Sequence, residues 1–241
     1  MSASRALLGA LMLCAAACAF AQARLPGREI SPGVREIALP DGHVYRGGVK
    51  DGMLDGHGEV TGPDYSYAGG FREGLKAGRG VQRWKNGDVY EGFFADDRPD
   101  GQGEFRFANG DRYVGRVRAG AMDGQGTYTQ KNGDVFEGSF VAGRLEGFGA
   151  LRFASGDSYV GDVRRGRIEG YGRYREAGGD VIEGTFRDGR IGGRGRIEYA
   201  NGDRYEGDLR DGRPHGQGVL WPAEGGTYAG EFRDGRRWQP D

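Results

Sequence analysis

The chain has 241 residues, 37% hydrophobic and 29% charged, with 34 Lys and Arg against 35 Asp and Glu. This near balance excludes a strong general attraction to polyanions, and no nucleic-acid partner is expected. Fifty glycines are about three times the usual roughly 7% share, which would mark low complexity if scattered, but they fall on a fixed lattice.

Residues 1–23 carry Arg5 as their only charge, followed by an apolar run over 6–20. That run is too short and alanine-rich for a membrane span of roughly 20 residues. Ala19-Phe20-Ala21 has the A-x-A form of a cleavage site, so 1–21 is expected to be a secretory signal peptide. The protein is then exported, to a periplasm or an envelope. Both cysteines, Cys14 and Cys18, lie in this segment, so the mature chain would hold no disulfide. A second reading takes Ala15-Ala16-Ala17-Cys18 as a loose lipobox and Cys18 as a lipidation site, although Ala15 stands where Leu is usual.

Residues 22–32, with Pro26 and Pro32 in a polar context, read as a linker. From there a pattern recurs every twenty-three residues: Tyr67, Tyr90, Tyr113, Phe136, Tyr159, Ile182, Tyr205 and Tyr228 share one place, with Tyr45 leading by twenty-two. A fixed period of this size marks a repeat array. Segment 33–42 supplies the second half of a repeat, its Gly33, Ile37 and Leu39 falling at the fourteenth, eighteenth and twentieth places. Eight full repeats follow: 43–64 (one residue short), 65–87, 88–110, 111–133, 134–156, 157–179, 180–202 and 203–225. A half repeat, 226–233, and a tail, 234–241, complete the chain, so the array spans 33–233.

Inside a repeat the period is two, which is strand periodicity. Tyr90, Gly92 and Phe94 fall on one face, and Val89, Glu91 and Phe93 on the other. Each repeat predicts two antiparallel strands, joined by a loop such as 210–215 and followed by a tight Asn-Gly turn, as at Asn86-Gly87 and Asn201-Gly202. The expected fold is all-β: an elongated single-layer antiparallel sheet of tandem 23-residue hairpins, eighteen strands in all, about 90 Å long before twist. Large residues at the third, seventh, eighteenth and twentieth places would lie over glycines at the fifth, fourteenth and sixteenth. A single layer would bury its own apolar face in this way.

The unit Y-x-G-x-F, then G-x-x-x-G-x-G, then N-G, resembles the MORN (membrane occupation and recognition nexus) repeat. The pattern is clear at Tyr90-Glu91-Gly92-Phe93-Phe94 with Gly101-Gln102-Gly103, and at Tyr205-Glu206-Gly207 with Gly212, Gly216 and Gly218. Asp97, Ile182, Ser155 and Gly178 depart from it. The resemblance implies an all-β array used for protein binding, scaffolding or membrane contact, in some relatives beside a lipid kinase or lysine methyltransferase domain. No such domain is expected here, because the stretches outside the array read as a linker and a short tail.

Signals for chemistry are weak. His43, His57 and His215 sit at unrelated places and are expected on the surface, with no metal site, cofactor or catalytic residue. Triplets such as Gly170-Tyr171-Gly172 follow the repeat lattice and lack a P-loop ending. Arg144, Arg167, Arg190, Arg213 and Arg236 recur near the strand-connecting loops, a ladder for anionic lipid head groups, with neighbouring acids as the competing reading. Asp88, Asp111, Asp134, Asp157, Asp180 and Asp203 follow the Asn-Gly turns, where turn chemistry accounts for them better than cation binding does.

A non-catalytic scaffold with a protein partner ranks first. Its expected groove exposes the rims of Tyr90, Phe94, Tyr113, Phe136, Phe140, Tyr159, Tyr205 and Trp221. Anionic-lipid contact ranks second and an enzyme last. Open strand edges at 33–39 and 226–233 suggest an end-to-end homo-oligomer, unless Pro40 and Arg236-Arg237 block it.

Overall fold

The structure, a computed structural model, describes residues 27–239. The expected signal peptide at 1–21 and the lipidation site at Cys18 lie outside the described residues. Twenty strands and no helix occur among the described residues, and they fall into two compact modules.

The module 27–131 runs β1 (Arg28–Ser31), β2 (Val34–Ala38), β3 (Val44–Lys50), β4 (Met53–Thr61), β5 (Tyr65–Arg72), β6 (Leu75–Trp84), β7 (Val89–Ala95), β8 (Arg98–Arg106), β9 (Arg112–Arg118) and β10 (Ala121–Thr129). The module 132–239 runs β11 (Val135–Val141), β12 (Arg144–Arg152), β13 (Ser158–Arg164), β14 (Arg167–Arg175), β15 (Val181–Arg187), β16 (Arg190–Glu198), β17 (Arg204–Arg210), β18 (Arg213–Trp221), β19 (Tyr228–Arg233) and β20 (Arg236–Arg237). In each module every strand pairs antiparallel with its chain neighbours.

The expected strands are β2 to β19; β1 and β20 are additional. The stretch 22–32 is therefore not all linker, because β1 pairs with β2 through Arg28↔Glu36 and Glu29↔Arg35. Nor is the tail free. β20 pairs with β19 through Phe232↔Arg237, the Trp238 amide donates to the Glu231 carbonyl at 2.9 Å, and Arg233 stacks on the Trp238 ring. The strand edges at 33–39 and 226–233, expected to be open, are thus occupied by the chain itself.

The two kinds of turn exchange roles relative to expectation. The tight one is inside the hairpin, where the ninth and tenth places both have positive φ, as in Asp211 (49°) and Gly212 (77°). Two successive left-handed residues make a type I′ turn, whose twist matches the strands it joins. Pro214 and His215, expected in a loop, lie in β18. The Asn-Gly connection is longer. Gly202 donates to the Tyr199 carbonyl at 2.9 Å, and the Tyr199 amide to the Asp203 carbonyl at 2.9 Å.

Each of the eight full-repeat hairpins carries a register shift after its fifth-place glycine. In β17–β18, Gly207↔Gly218 is followed by Leu209↔Pro214, so Asp208 has no partner across the hairpin. Its carbonyl takes the Tyr205 hydroxyl at 2.8 Å. The same bond recurs from Tyr45, Tyr67, Tyr90, Tyr113, Tyr159 and Tyr228 to the carbonyl three residues on. The ring meanwhile covers the glycines of both strands, since a Cβ on Gly92 would stand 2.5 Å from the Tyr90 hydroxyl. Burial raises the Tyr205 phenol to about 12. Phe rings then bridge the repeats edge-to-face: Phe94 lies 4.9 Å from Tyr67 and 5.3 Å from Tyr90.

The row of aspartates after the Asn-Gly turns ties repeat to repeat. Asp203 accepts the Ala223 amide through one oxygen at 2.8 Å and the Asn201 side chain through the other at 3.0 Å, and Asp88 does the same with Ala108 and Asn86. His43 replaces this aspartate in the first full repeat. Contrary to the surface position expected for it, it is buried against Tyr65, with Nδ1 3.0 Å from Asp41.

Candidate functional site

Seven of the eight aromatics expected to expose a groove are core residues. Tyr90, Phe94, Tyr113, Phe136, Phe140, Tyr159 and Tyr205 are all buried, and only Trp221, at the end of β18, is exposed. The cause is the ring-on-glycine packing: glycines that were to form a groove floor are covered by the rings themselves. A partner meets these residues only where the packing is interrupted.

One interruption lies in the module 132–239, at repeat 180–202. Ile182 takes the tyrosine place, so neither a ring nor a hydroxyl is available, and Thr185 pairs across the hairpin with Gly192 instead of being skipped. The glycines beneath are covered by smaller groups: Ile191 over Gly184 and Leu209 over Gly195. Beside them opens a groove of about 420 Å³ on the aromatic face. Its apolar wall is Phe153, Tyr174, Ile182, Phe186 and Ile191. One end carries the carboxylates of Asp134, Asp157 and Glu176, the other Arg190 and Asp211.

The acidic end is electrostatically uneven. Burial works to raise Asp157, but the Ala177 amide, the Tyr174 hydroxyl and the Ser155 hydroxyl hold it below the usual aspartate value. Glu176 is raised, by burial first and then by Asp180 and Asp157. No cluster of three His, Cys, Asp or Glu suited to a metal occurs among the described residues. What the arrangement offers is shape, an apolar wall and one sign of charge at the Asp134–Asp157–Glu176 end.

The arginines of the ladder, Arg144, Arg167, Arg190, Arg213 and Arg236, each open the strand after a type I′ turn and are exposed. Arg167 is already held by Asp188 at 3.1 Å. On the turn side of repeat 180–202 a second concavity of about 490 Å³ is lined by Arg187, Arg190, Arg194 and Arg210. Ile182 was visible in the sequence as a departure from the repeat. Gly192 and Arg194 were not singled out, although comparing the thirteenth and fifteenth places across repeats would have found them.

Comparison with known proteins follows the same lattice. The MORN repeat model matches nine segments: 45–66, 67–89, 90–112, 113–135, 136–158, 159–181, 183–204, 205–225 and 228–238. Alsin of Rattus norvegicus is 36% identical over 88 residues, and Alsin of Homo sapiens is 35% identical over 88. In both cases the match covers 34% of this chain and 5% of the relative, so the chain spans a small part of their length. Among solved structures, the TCP domain of Drosophila melanogaster SAS-4 in complex with a proline-rich motif of Ana2 is similar at TM-score 0.41 and 15% identity, covering 76% of this chain and 94% of that one. The TCP10c domain of Sas-4 from the same species has TM-score 0.39 and 17% identity over 65% and 93%. With nine matched segments running from 45 to 238, the chain belongs to the MORN repeat family.

Proposed function

We propose that this protein is a non-catalytic binding module that seats a segment of a protein partner in the groove of repeat 180–202. MORN arrays serve protein or membrane binding and are generally non-catalytic, which supports the class. The single observation that carries the location is the replacement of the covering tyrosine by Ile182, beside which the groove opens. A wall of half-buried Phe153 and Tyr174, backed by buried Ile182, Phe186 and Ile191, with charge confined to the ends, suits an apolar segment flanked by a basic residue at the Asp134–Asp157–Glu176 end. The A-x-A site at Ala19-Phe20-Ala21 supports export as the setting, with tethering through Cys18 as its variant.

Contact with anionic membranes is the second reading, supported by the exposed arginines along the turn edge. A photo-crosslinking residue at Phe153, in the groove, and another at Val160, on the opposite face, separate the two in cells that produce the protein. Discrete protein adducts from position 153 and none from 160 are expected. Equal labelling at both, or lipid adducts alone, would refute the groove.

A further inference from the structure

In four of the eight full repeats the thirteenth place carries a second inter-repeat bond, whereas Asp123 at the same place pairs with Arg118. Asp100 accepts the Ala119 amide at 3.0 Å, Glu146 the Arg165 amide at 2.7 Å and Glu169 the Asp188 amide at 3.0 Å. His215 stands in the same relation to the Asp234 amide at 3.4 Å. In each case an acceptor side chain nineteen residues upstream caps the first N–H of a type I′ turn. In repeat 180–202 the thirteenth residue is Gly192, which has no side chain to offer, and the Asp211 amide has no acceptor among the described residues. The space left is the concavity of about 490 Å³, and four guanidinium groups surround it. Arg194 adds a charge where repeats 88–110, 111–133 and 203–225 have Gln102, Gln125 and Gln217. Arg187, Arg190 and Arg194 make no ion pair among the described residues; Arg210 pairs with Asp234 at 2.7 Å, and Asp211 is the one carboxylate in the lining.

Repeat 65–87 also lacks the acid, with Ala77 at this place, and no acceptor for the Asp96 amide occurs among the described residues, but its neighbouring groups are engaged elsewhere. The Asp97 carboxylate accepts the Lys76 amide at 2.8 Å, and Arg79 is stacked over the Phe93 ring. At Gly192 the missing acceptor coincides with unpaired arginines and an open cavity.

We propose that this notch receives a carboxylate from an acidic segment of the protein partner, which takes the position that Glu146 and Glu169 fill in their own repeats. The inference rests on the protein-binding reading above and extends it: the groove takes the apolar part of the segment, and the notch beside it, sharing Arg190, Ile191 and Asp211, takes an acidic residue. A carboxylate is favoured over a phosphate because the neighbouring repeats solve the same geometry with one. Charge-assisted bonds from guanidinium and backbone N–H to a single carboxylate are short and directional.

Two substitutions borrow residues that other repeats use at the same places, Gly192→Glu and Arg194→Gln. A Cβ on Gly192 meets nothing nearer than the Leu209 carbonyl at 3.7 Å, so the glutamate has room to fold back as Glu169 does. Titration of a hexaglutamate peptide into the full chain at low salt is expected to show binding that weakens roughly tenfold or more in either variant. Millimolar inorganic phosphate is expected to compete poorly. Absence of binding to the native chain, or unchanged binding to G192E, overturns the proposal. Full competition by phosphate, or sedimentation with phosphatidylglycerol vesicles that G192E abolishes, overturns it in favour of a phosphate site. R194Q keeps the test if G192E fails to fold. A segment held in the groove would still bind G192E, so failure of the notch and failure of the groove give different results.

Discussion

The Tyr205 hydroxyl stands 2.8 Å from the carbonyl oxygen of Asp208, the residue that the register shift of β17–β18 leaves without a partner across the hairpin. One side chain thereby covers the paired glycines and satisfies the backbone that the bulge frees. Removing only the oxygen, in Tyr205→Phe, keeps the packing and leaves a part-buried carbonyl unmet. The expected loss is about 1 kcal/mol in urea unfolding. An unchanged midpoint would show that the bulge does not depend on the hydroxyl.

Glycines of one repeat should differ sharply from those of the next. A Cβ on Gly218 would fall within contact distance of the Tyr205 ring and hydroxyl, whereas one on Gly192 meets only the Leu209 carbonyl at 3.7 Å. Gly218→Ala should cost about 1–3 kcal/mol as overpacking, and Gly192→Ala should be close to neutral. Thermal melts of the two variants side by side check this; equal costs would contradict the ring-on-glycine packing.

Much of this was legible beforehand. The spacing of Tyr67, Tyr90 and Tyr113 located β2 to β19, and the period of two assigned their faces. The turns were misjudged because the ninth place holds Asp, Ala, Arg or Glu, and Ala119, Ala142 and Arg165 give no hint of the positive φ they adopt. Asn-Gly carried the familiar signature and serves a longer loop. For the site, an aromatic stripe cannot be told from its own cover: whether Tyr90 lines a groove or seals it depends on where the ring lies, which spacing does not encode. The informative residues were the exceptions, Ile182, Gly192 and Arg194.

Acid should loosen the links between repeats. Asp111 and Asp157 are held below the ordinary 3.8 by the bonds they accept, against burial, and Asp203 by the Ala223 amide and Asn201. A lowered folded-state pKa contributes stability that is present above the unfolded value and lost as pH falls through the folded one. Glu176 acts in the opposite sense: raised by burial, it costs stability above its folded pKa and is relieved on protonation. Glu104 and Asp234 are lowered by their bonds to Arg112 and Arg210 and Asp97 is raised by burial, so five lowered groups against two raised predict a flat melting temperature down to about pH 5 and a decline below about pH 4. Asp203→Asn should flatten that acid limb, and an undiminished slope would remove this aspartate from the explanation.

Neighbour-only pairing predicts tolerance of whole-repeat deletion. Excising 88–110 brings β6 against β9, which repeats the pairing pattern of β7, so the shortened chain should melt cooperatively with native-like circular dichroism. Excising half a repeat, 88–99, should not, because each later strand meets its neighbour in the wrong direction. Equal behaviour of the two deletions would contradict the repeat architecture.

Ile182→Tyr tests most directly whether the break in the tyrosine row is what makes the binding site. The substitution restores the residue of the other repeats, whose hydroxyl bonds the carbonyl three residues on once Thr185 is skipped as Asp208 is and Ile191 and Leu209 move off Gly184 and Gly195. Peptides selected from a displayed library on the native protein should lose affinity for I182Y roughly tenfold or more, while its melting temperature stays level or rises. Full retention of peptide binding by a folded I182Y would contradict the assignment of the groove as the partner site.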